Sequence, residues 1–147
     1  MQAVIFCGIQ ASGKSRFYAE RFAGSHVRVN LDTLKSRKVE STLIEECLAE
    51  GRAFVVDNTN PTPAERERYI VPAREAGFLV VGYYFMATPR EAIARSLARE
   101  GAEAVPPWAI WRTYKKLQPP GASEGFDELL LAHLESTGAF SVMSLHP

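Results

Sequence analysis

Ala3-Val4-Ile5-Phe6-Cys7 is apolar at five consecutive positions, the pattern of a strand buried on both faces, and it stops at Gly8. The period then changes. From about Gly13, the spacing of Phe17, Tyr18 and Phe22 predicts a helix that turns these rings towards a core. His26 to Val29 reads as a short second strand. Leu31 to Arg37 reads as helical. Glu40 to Glu50 is a clearer amphipathic helix, with Leu43, Ile44, Cys47 and Leu48 on one face and Gly51 at its end. Ala53 to Val56 is again apolar throughout and predicts another buried strand.

A helix follows from Pro63, a residue suited to a first turn, to Ala76, with Gly77 as its stop and Pro72 predicting a kink or break. Phe78 to Phe85 is the next strand. Thr88-Pro89-Arg90-Glu91 supplies the cap, proline and acid of a helix start, and that helix runs towards Glu100-Gly101. Pro106 to Leu117 is a further helix, and Gln118 to Gly125 a loop rich in proline and glycine. Phe126 to Leu134 fits a strand or a helix, and Ala139 to Leu145 a strand. Strands alternating with helices predict an α/β domain whose parallel sheet is covered on both faces.

The chain has 147 residues, the size of one domain, and at that length a single core forms without disulfide staples. Formal net charge is zero, which excludes a strong long-range field for holding long nucleic acid but leaves room for a local basic patch. Cys7 and Cys47 sit in apolar surroundings without metal-type spacing and read as reduced, buried thiols. The first apolar run is too short for a signal peptide or a membrane span, so the expected location is the cytoplasm.

Gly8-Ile9-Gln10-Ala11-Ser12-Gly13-Lys14-Ser15 completes the pattern G-x-x-x-x-G-K-[ST] between a buried strand and a helix start. In such a loop, backbone N–H groups turn inward on phosphates and the helix N-terminus adds its positive end. The lysine neutralises the terminal phosphates and the serine hydroxyl ligates Mg²⁺. Candidate ATP contacts are therefore Gly8, Gln10, Ala11, Ser12, Gly13, Lys14, Ser15 and the adjoining Arg16. Phosphoryl transfer needs, besides, a group to orient the attacking hydroxyl and further positive charge. Asp32 follows the second strand, where it can act as that base or simply N-cap the next helix. Asp57 ends a hydrophobic run as a metal-holding acid does, its other reading being an Asx turn before the next helix. Arg95 and Arg99 share a helix face and either reach a transferring phosphoryl group or pair with Glu91 and Glu100.

These residues, taken in order, resemble the kinase domain of polynucleotide 5′-hydroxyl kinases, both the phage type and the animal 3′-phosphatase/5′-kinase enzymes. The resemblance is carried by the phosphate loop, by Asn30-Leu31-Asp32-Thr33-Leu34, by Val56-Asp57-Asn58-Thr59-Asn60-Pro61, by Arg95-Ser96-Leu97-Ala98-Arg99, and by Val105-Pro106-Pro107 and Glu124-Gly125-Phe126. It implies a three-layer P-loop fold with a five-stranded parallel core, in which Phe126 onwards is a strand, and a small lid at about residues 95–105. It implies ATP and Mg²⁺ on Lys14 and Ser15, Asp32 as general base on a 5′-hydroxyl of DNA or RNA, and Arg95 or Arg99 on the ATP phosphates. Lys35 and Asn58 become candidate acceptor contacts. The chain has no Asp-x-Asp-x-Thr phosphatase segment, so separate phosphatase or ligase partners would complete any end repair.

Ala11, Leu31 and Lys35 depart from the family pattern: glycine is usual at the first position and arginine at the other two. A lysine cannot reproduce the bidentate phosphate contact of arginine. These departures keep open a kinase of a small hydroxyl metabolite, nucleoside or antibiotic. A nucleotide-binding regulatory module without transfer activity is the alternative of another class. Arg28, Lys35, Arg37 and Lys38 form a basic group around Asp32, readable as an acceptor-phosphate patch or as solvated surface. Trp108, Trp111 and Tyr114 recur at helical spacing before Lys115-Lys116; packing against the sheet is the expectation, a stacking platform for bases the alternative. His26, His133 and His146 are scattered and make no metal constellation.

Overall fold

The computed structural model describes residues 1–98 and 104–145. The chain runs β1 (Gln2–Cys7), α1 (Lys14–Arg21), β2 (Val27–Val29), α2 (Leu31–Leu34), α3 (Arg37–Glu50), β3 (Phe54–Val56), α4 (Pro63–Glu75), β4 (Leu79–Phe85), α5 (Pro89–Leu97), α6 (Pro107–Lys116), β5 (Glu128–Leu134) and β6 (Phe140–Ser144). One six-stranded sheet has the order β2-β3-β1-β4-β5-β6. The first five strands of that order are parallel neighbours, and β6 closes the edge antiparallel to β5. Parallel strands gather their C-terminal ends along one rim, so the segments after β1, β2 and β3 meet there.

Strand alternation sorts the core into two layers. Ala3, Ile5, Phe54 and Val56 face Ile44 and Cys47 of α3 and Tyr69, Ile70 and Ala73 of α4. Val4, Phe6, Val55 and Phe85 face the opposite way, onto Phe17 of α1. The second layer is aromatic: the Phe17 ring lies 4.9 Å from Phe140, 5.1 Å from Tyr83 and 5.3 Å from Phe85. A third cluster, Ile9, Ala11, Ala92 and Ile110, joins the loop after β1 to α5 and α6. No helix among the described residues is long and apolar enough to cross a membrane.

Three local expectations change. Helix α4 continues past Pro72 to Glu75 without a break. Pro72 lies in the last turn, so its missing N–H removes only one late hydrogen bond. The helix expected from Leu31 to Arg37 is instead one turn ending at Leu34. Lys35 then takes φ 63, Ser36 caps α3 by accepting from the Val39 N–H, and Arg37 opens that second helix. Trp108, Trp111 and Tyr114 do not pack into the core; all three are exposed, and Ile110 is the buried residue of α6. The expected lid helix beyond Leu97, with Arg99, lies outside the described residues at 99–103.

Phe17 is fully buried and stands directly behind the phosphate loop. Phe17→Ala is expected to lower unfolding free energy by about 3–5 kcal/mol, read from the midpoint of a urea titration followed by circular dichroism.

Candidate phosphotransfer cleft

The loop between β1 and α1 is shaped by close contacts. A Cβ on Gly8 would meet the Phe85 carbonyl oxygen at 3.0 Å, so only glycine fits beside β4. Gly13 caps α1 at φ 100 with no side-chain hydrogen bond, so no capping side chain stands over the positive end of the helix. Ala11 sits at φ 59, a left-handed conformation that disfavours a Cβ by about 1–2 kcal/mol. Its methyl group is buried in the cluster of Ile9, Ala92 and Ile110, which offsets part of that strain. The Lys14 ammonium donates to the carbonyls of Gly8 at 3.0 Å and Ile9 at 2.7 Å. Gln10 donates across to the Thr113 hydroxyl of α6 at 3.0 Å, and Arg16 to the Gly138 carbonyl at 2.7 Å.

This loop forms one wall of a cleft of about 730 Å³ that is also lined by Asn30, Asp32, Arg37, Asp57 and Asn58. Lys14, Ser15, Asp32, Asp57 and Asn58 thus share one cleft, although they come from three separate segments of the sequence. Asp57 is nearly inaccessible, and the Ser15 hydroxyl donates to its Oδ2 at 3.3 Å. Arg28 completes a triad that sequence reasoning did not find. Its Nε and Nη2 each lie 2.9 Å from Asp57 Oδ2, and Nη2 also donates to Ser15 Oγ at 2.9 Å. Val27 and Val29 of β2 face the α3 layer, so alternation turns Arg28 to the α1 side, over the Tyr18 ring at 5.8 Å.

On the opposite wall, Asn30 rather than Asp32 is the N-cap of α2, accepting from the Thr33 N–H. The Asp32 carboxylate is therefore not the cap, and the exposed residue lines the cleft. Asn30 also donates to the Asp57 carbonyl at 2.6 Å. Asn58 uses both ends of its amide on protein: Oδ1 accepts from the Leu31 N–H at 2.9 Å, and Nδ2 donates to Glu40 at 3.0 Å. Glu40 is buried and also accepts from the Tyr69 hydroxyl at 2.9 Å and from Arg37 at 3.0 Å. Burial, and then the Glu40 carboxylate, push the Tyr69 hydroxyl above the usual phenol range, so it stays a proton donor to Glu40. Of Arg28, Lys35, Arg37 and Lys38, Arg37 is the one that lines the cleft. Lys35 does not line it, because the left-handed turn at that residue breaks the helical phase.

Arg95 props the loop from behind. Its Nη1 donates to the Ala11 carbonyl at 3.2 Å and its Nη2 to the Leu134 carbonyl at 3.1 Å, and it does not line the cleft. Arg66, fully buried in α4, pairs with Glu124 at 2.7 and 3.0 Å and donates to the Asn60 carbonyl at 2.9 Å. The spacing of Arg66 and Glu124 in sequence gives no sign of this pairing. Cys7 adjoins the same guanidinium, yet burial pushes its thiol up to about 11 against the pull of Arg66 and Lys14. It is a neutral packing group rather than a nucleophile.

Removing Glu124 would strand a buried guanidinium and loosen the segment from Asp57 to Asn60. Glu124→Ala is expected to destabilise the fold by about 3–5 kcal/mol, and Glu124→Gln by clearly less, as measured by chemical denaturation.

The sequence pattern of the AAA-domain family matches residues 4–120. A protein of Acanthamoeba polyphaga mimivirus described as a bifunctional polynucleotide phosphatase/kinase is 30% identical over 92 residues. That alignment covers 61% of this chain, which spans 22% of the relative's length. Among solved structures, Chaetomium thermophilum Kti12 in complex with ADP-AlF3 has a TM-score of 0.63 at 17% identity, with 92% of each chain covered. A gluconokinase from Sinorhizobium meliloti 1021 has a TM-score of 0.59 at 16% identity, covering 88% of this chain and 82% of its own. At these identities the two structures establish a common fold. Because the family pattern runs from β1 through the cleft to the end of α6, the chain belongs to the AAA-domain family.

Proposed function

We propose that this protein transfers the γ-phosphate of ATP to a hydroxyl group, and that the acceptor is the 5′-hydroxyl end of a DNA or RNA strand. The observation that carries transfer is the presence of Asp32 in the same cleft as Lys14, without the capping role, which Asn30 takes. A carboxylate so placed takes the proton of the attacking hydroxyl and orients its oxygen in line. Lys14 exchanges its loop carbonyls for phosphate oxygens, and the positive end of the α1 dipole meets the remaining charge. The nucleic-acid acceptor is supported by the mimivirus relative.

The donor set suits Mg²⁺. Among the described residues no group of three or more His, Cys, Asp or Glu side chains could hold a metal. Mg²⁺ in phosphotransfer sites characteristically takes few protein oxygens and completes its shell with phosphate and water. Ser15 Oγ and Asp57 Oδ2 are such a pair, with Asp57 acting directly or through water. When bound there, Mg²⁺ neutralises charge on the transferring phosphoryl group. Arg28 already bonds both oxygens, so its guanidinium must withdraw before they serve a metal.

Incubation with γ-labelled ATP, Mg²⁺, a 5′-hydroxyl oligonucleotide and a panel of small alcohols and nucleosides tests the acceptor. Label is expected on the oligonucleotide. Asp32→Asn should lower kcat by about 10²–10⁴-fold with the fold intact, and Lys14→Ala should remove detectable transfer. Label confined to a small molecule would sink the nucleic-acid assignment while keeping the kinase; no label on any acceptor would leave a binding module.

Arg28 has its own test. Calorimetric titration with ADP, with and without Mg²⁺, gives the factor by which the metal tightens nucleotide binding. That factor should be at least threefold larger in Arg28→Met than in the parent protein. An equal or smaller factor would mean that Arg28 does not compete with the metal.

A further inference from the structure

Helix α6 carries an outward face that the cleft chemistry does not use. Ile110 points into the cluster behind the phosphate loop, whereas Trp108 is 65% exposed and Trp111 43%. At about 100° per residue, Trp108, Trp111, Arg112 and Lys115 fall within one sector turned away from Ile110. The Trp111 ring is held edge-on against Tyr114 at 6.1 Å, so the aromatic surface is partly braced before anything binds. Charge is one-sided as well. Arg112, Lys115 and Lys116 lie in this helix, and no Asp or Glu occurs from Val105 to Ser123, although the whole chain is neutral.

The helix also abuts the cleft. Thr113 accepts from Gln10, and Lys116 reaches Glu65 at 3.3 Å; Gln10 and Glu65 both line the cleft. The flank bearing Thr113 and Lys116 therefore faces the cleft. Within the outer sector, Arg112 is the residue nearest that flank, with Trp108 and Lys115 beyond it and Trp111 farthest round.

We propose that this face is a docking surface for single-stranded nucleic acid leaving the cleft, a proposal that rests on the acceptor being a nucleic-acid end. Arg112 meets a phosphate at the exit, Trp108 and Trp111 stack on the bases that follow, and Lys115 meets a second phosphate. Exposed rings interleaved with cations and free of carboxylates match the π-faces and regular negative charge of a single strand. From Trp108 to Lys115 the helix rises about 10 Å, which spans about three nucleotides at a stacked spacing of about 3.4 Å. Recognition is expected to be indifferent to sequence, since no base edge meets a dedicated partner.

The test uses the full chain with ATP, Mg²⁺ and 5′-hydroxyl oligonucleotides of two, four, six and ten nucleotides. In the parent protein kcat/KM should rise with length and level off near six. In Trp108→Ala/Trp111→Ala the ratio of kcat/KM for the decamer over the dinucleotide should fall at least tenfold. In Arg112→Gln/Lys115→Gln the slope of log Kd against log salt for the decamer should flatten by about 1.4, as loss of two single-strand phosphate contacts requires. The decamer should also quench tryptophan fluorescence in the parent. An unchanged length ratio and salt slope, in variants that melt like the parent, overturns the docking surface while leaving the kinase reading intact. A concentration-dependent dimer that the double tryptophan variant abolishes overturns it in favour of a second copy as the occupant. Absence of label on oligonucleotides of every length overturns the acceptor assignment itself, and the docking surface with it.

Discussion

A carboxylate almost closed off from water needs compensating positive charge, and the arrangement around Asp57 follows from that need. Asp57 directly follows β3, in the middle of the rim where three parallel strands finish. Arg28 from β2 answers it on one side and the Ser15 hydroxyl from α1 on the other. The same residue's carbonyl receives the Asn30 amide, which fixes the turn that carries Asp32. The phosphate loop, the base candidate and the sheet are therefore referred to one point. A guanidinium holds that point in the geometry described here. The charge requirement of the site is met without distorting the strands around it.

The remaining polar groups under the rim extend the same logic outward. Glu40 is buried beneath Asn58 and is satisfied by Tyr69, Arg37 and Asn58 together, so the segment after β3 cannot rotate without stranding several partners. Arg66 and Glu124 perform the equivalent task between α4 and the turn before β5, and bring the Asn60 carbonyl with them. Asn60 itself, at φ 44, donates to the Phe6 carbonyl and ties this segment back to β1. The cleft is thus braced by Glu40, Tyr69, Arg66 and Glu124, none of which lines it.

Much of this was legible from sequence because the informative signals are local. A buried strand, a glycine-bounded loop with Lys14 and Ser15, and a helix start are contiguous, so the phosphate loop was found together with its setting. Asp32 and Asp57 were placed correctly at strand ends, since parallel topology itself brings those ends together. Arg28 was missed as a partner of Asp57 because the pairing spans two strands and depends on which way β2 alternates. Lys35 stands where the family resemblance puts an acceptor contact, but the first helix stops at Leu34 and the second opens at Arg37, so Arg37 is the side chain that lines the cleft. Ser36, a capping residue just ahead of the next amphipathic stretch, was the available signal that the phase is reset. The aromatic spacing in α6 was read as a buried stripe, yet a ring on a short helix fits either face. Only the position of Ile110 against the phosphate loop decides which face is buried.

Ala11 has a consequence that concerns the chain before it folds. An alanine in a left-handed turn is strained in the native loop, but compared with glycine it also confines the disordered chain, leaving less backbone freedom to surrender on folding. The two effects oppose each other. With its methyl packed on Ile110 and its carbonyl held by Arg95, the loop has few alternative shapes to visit. A phosphate chain arriving there meets a mould that is already set, and little of its binding energy is diverted to ordering the protein.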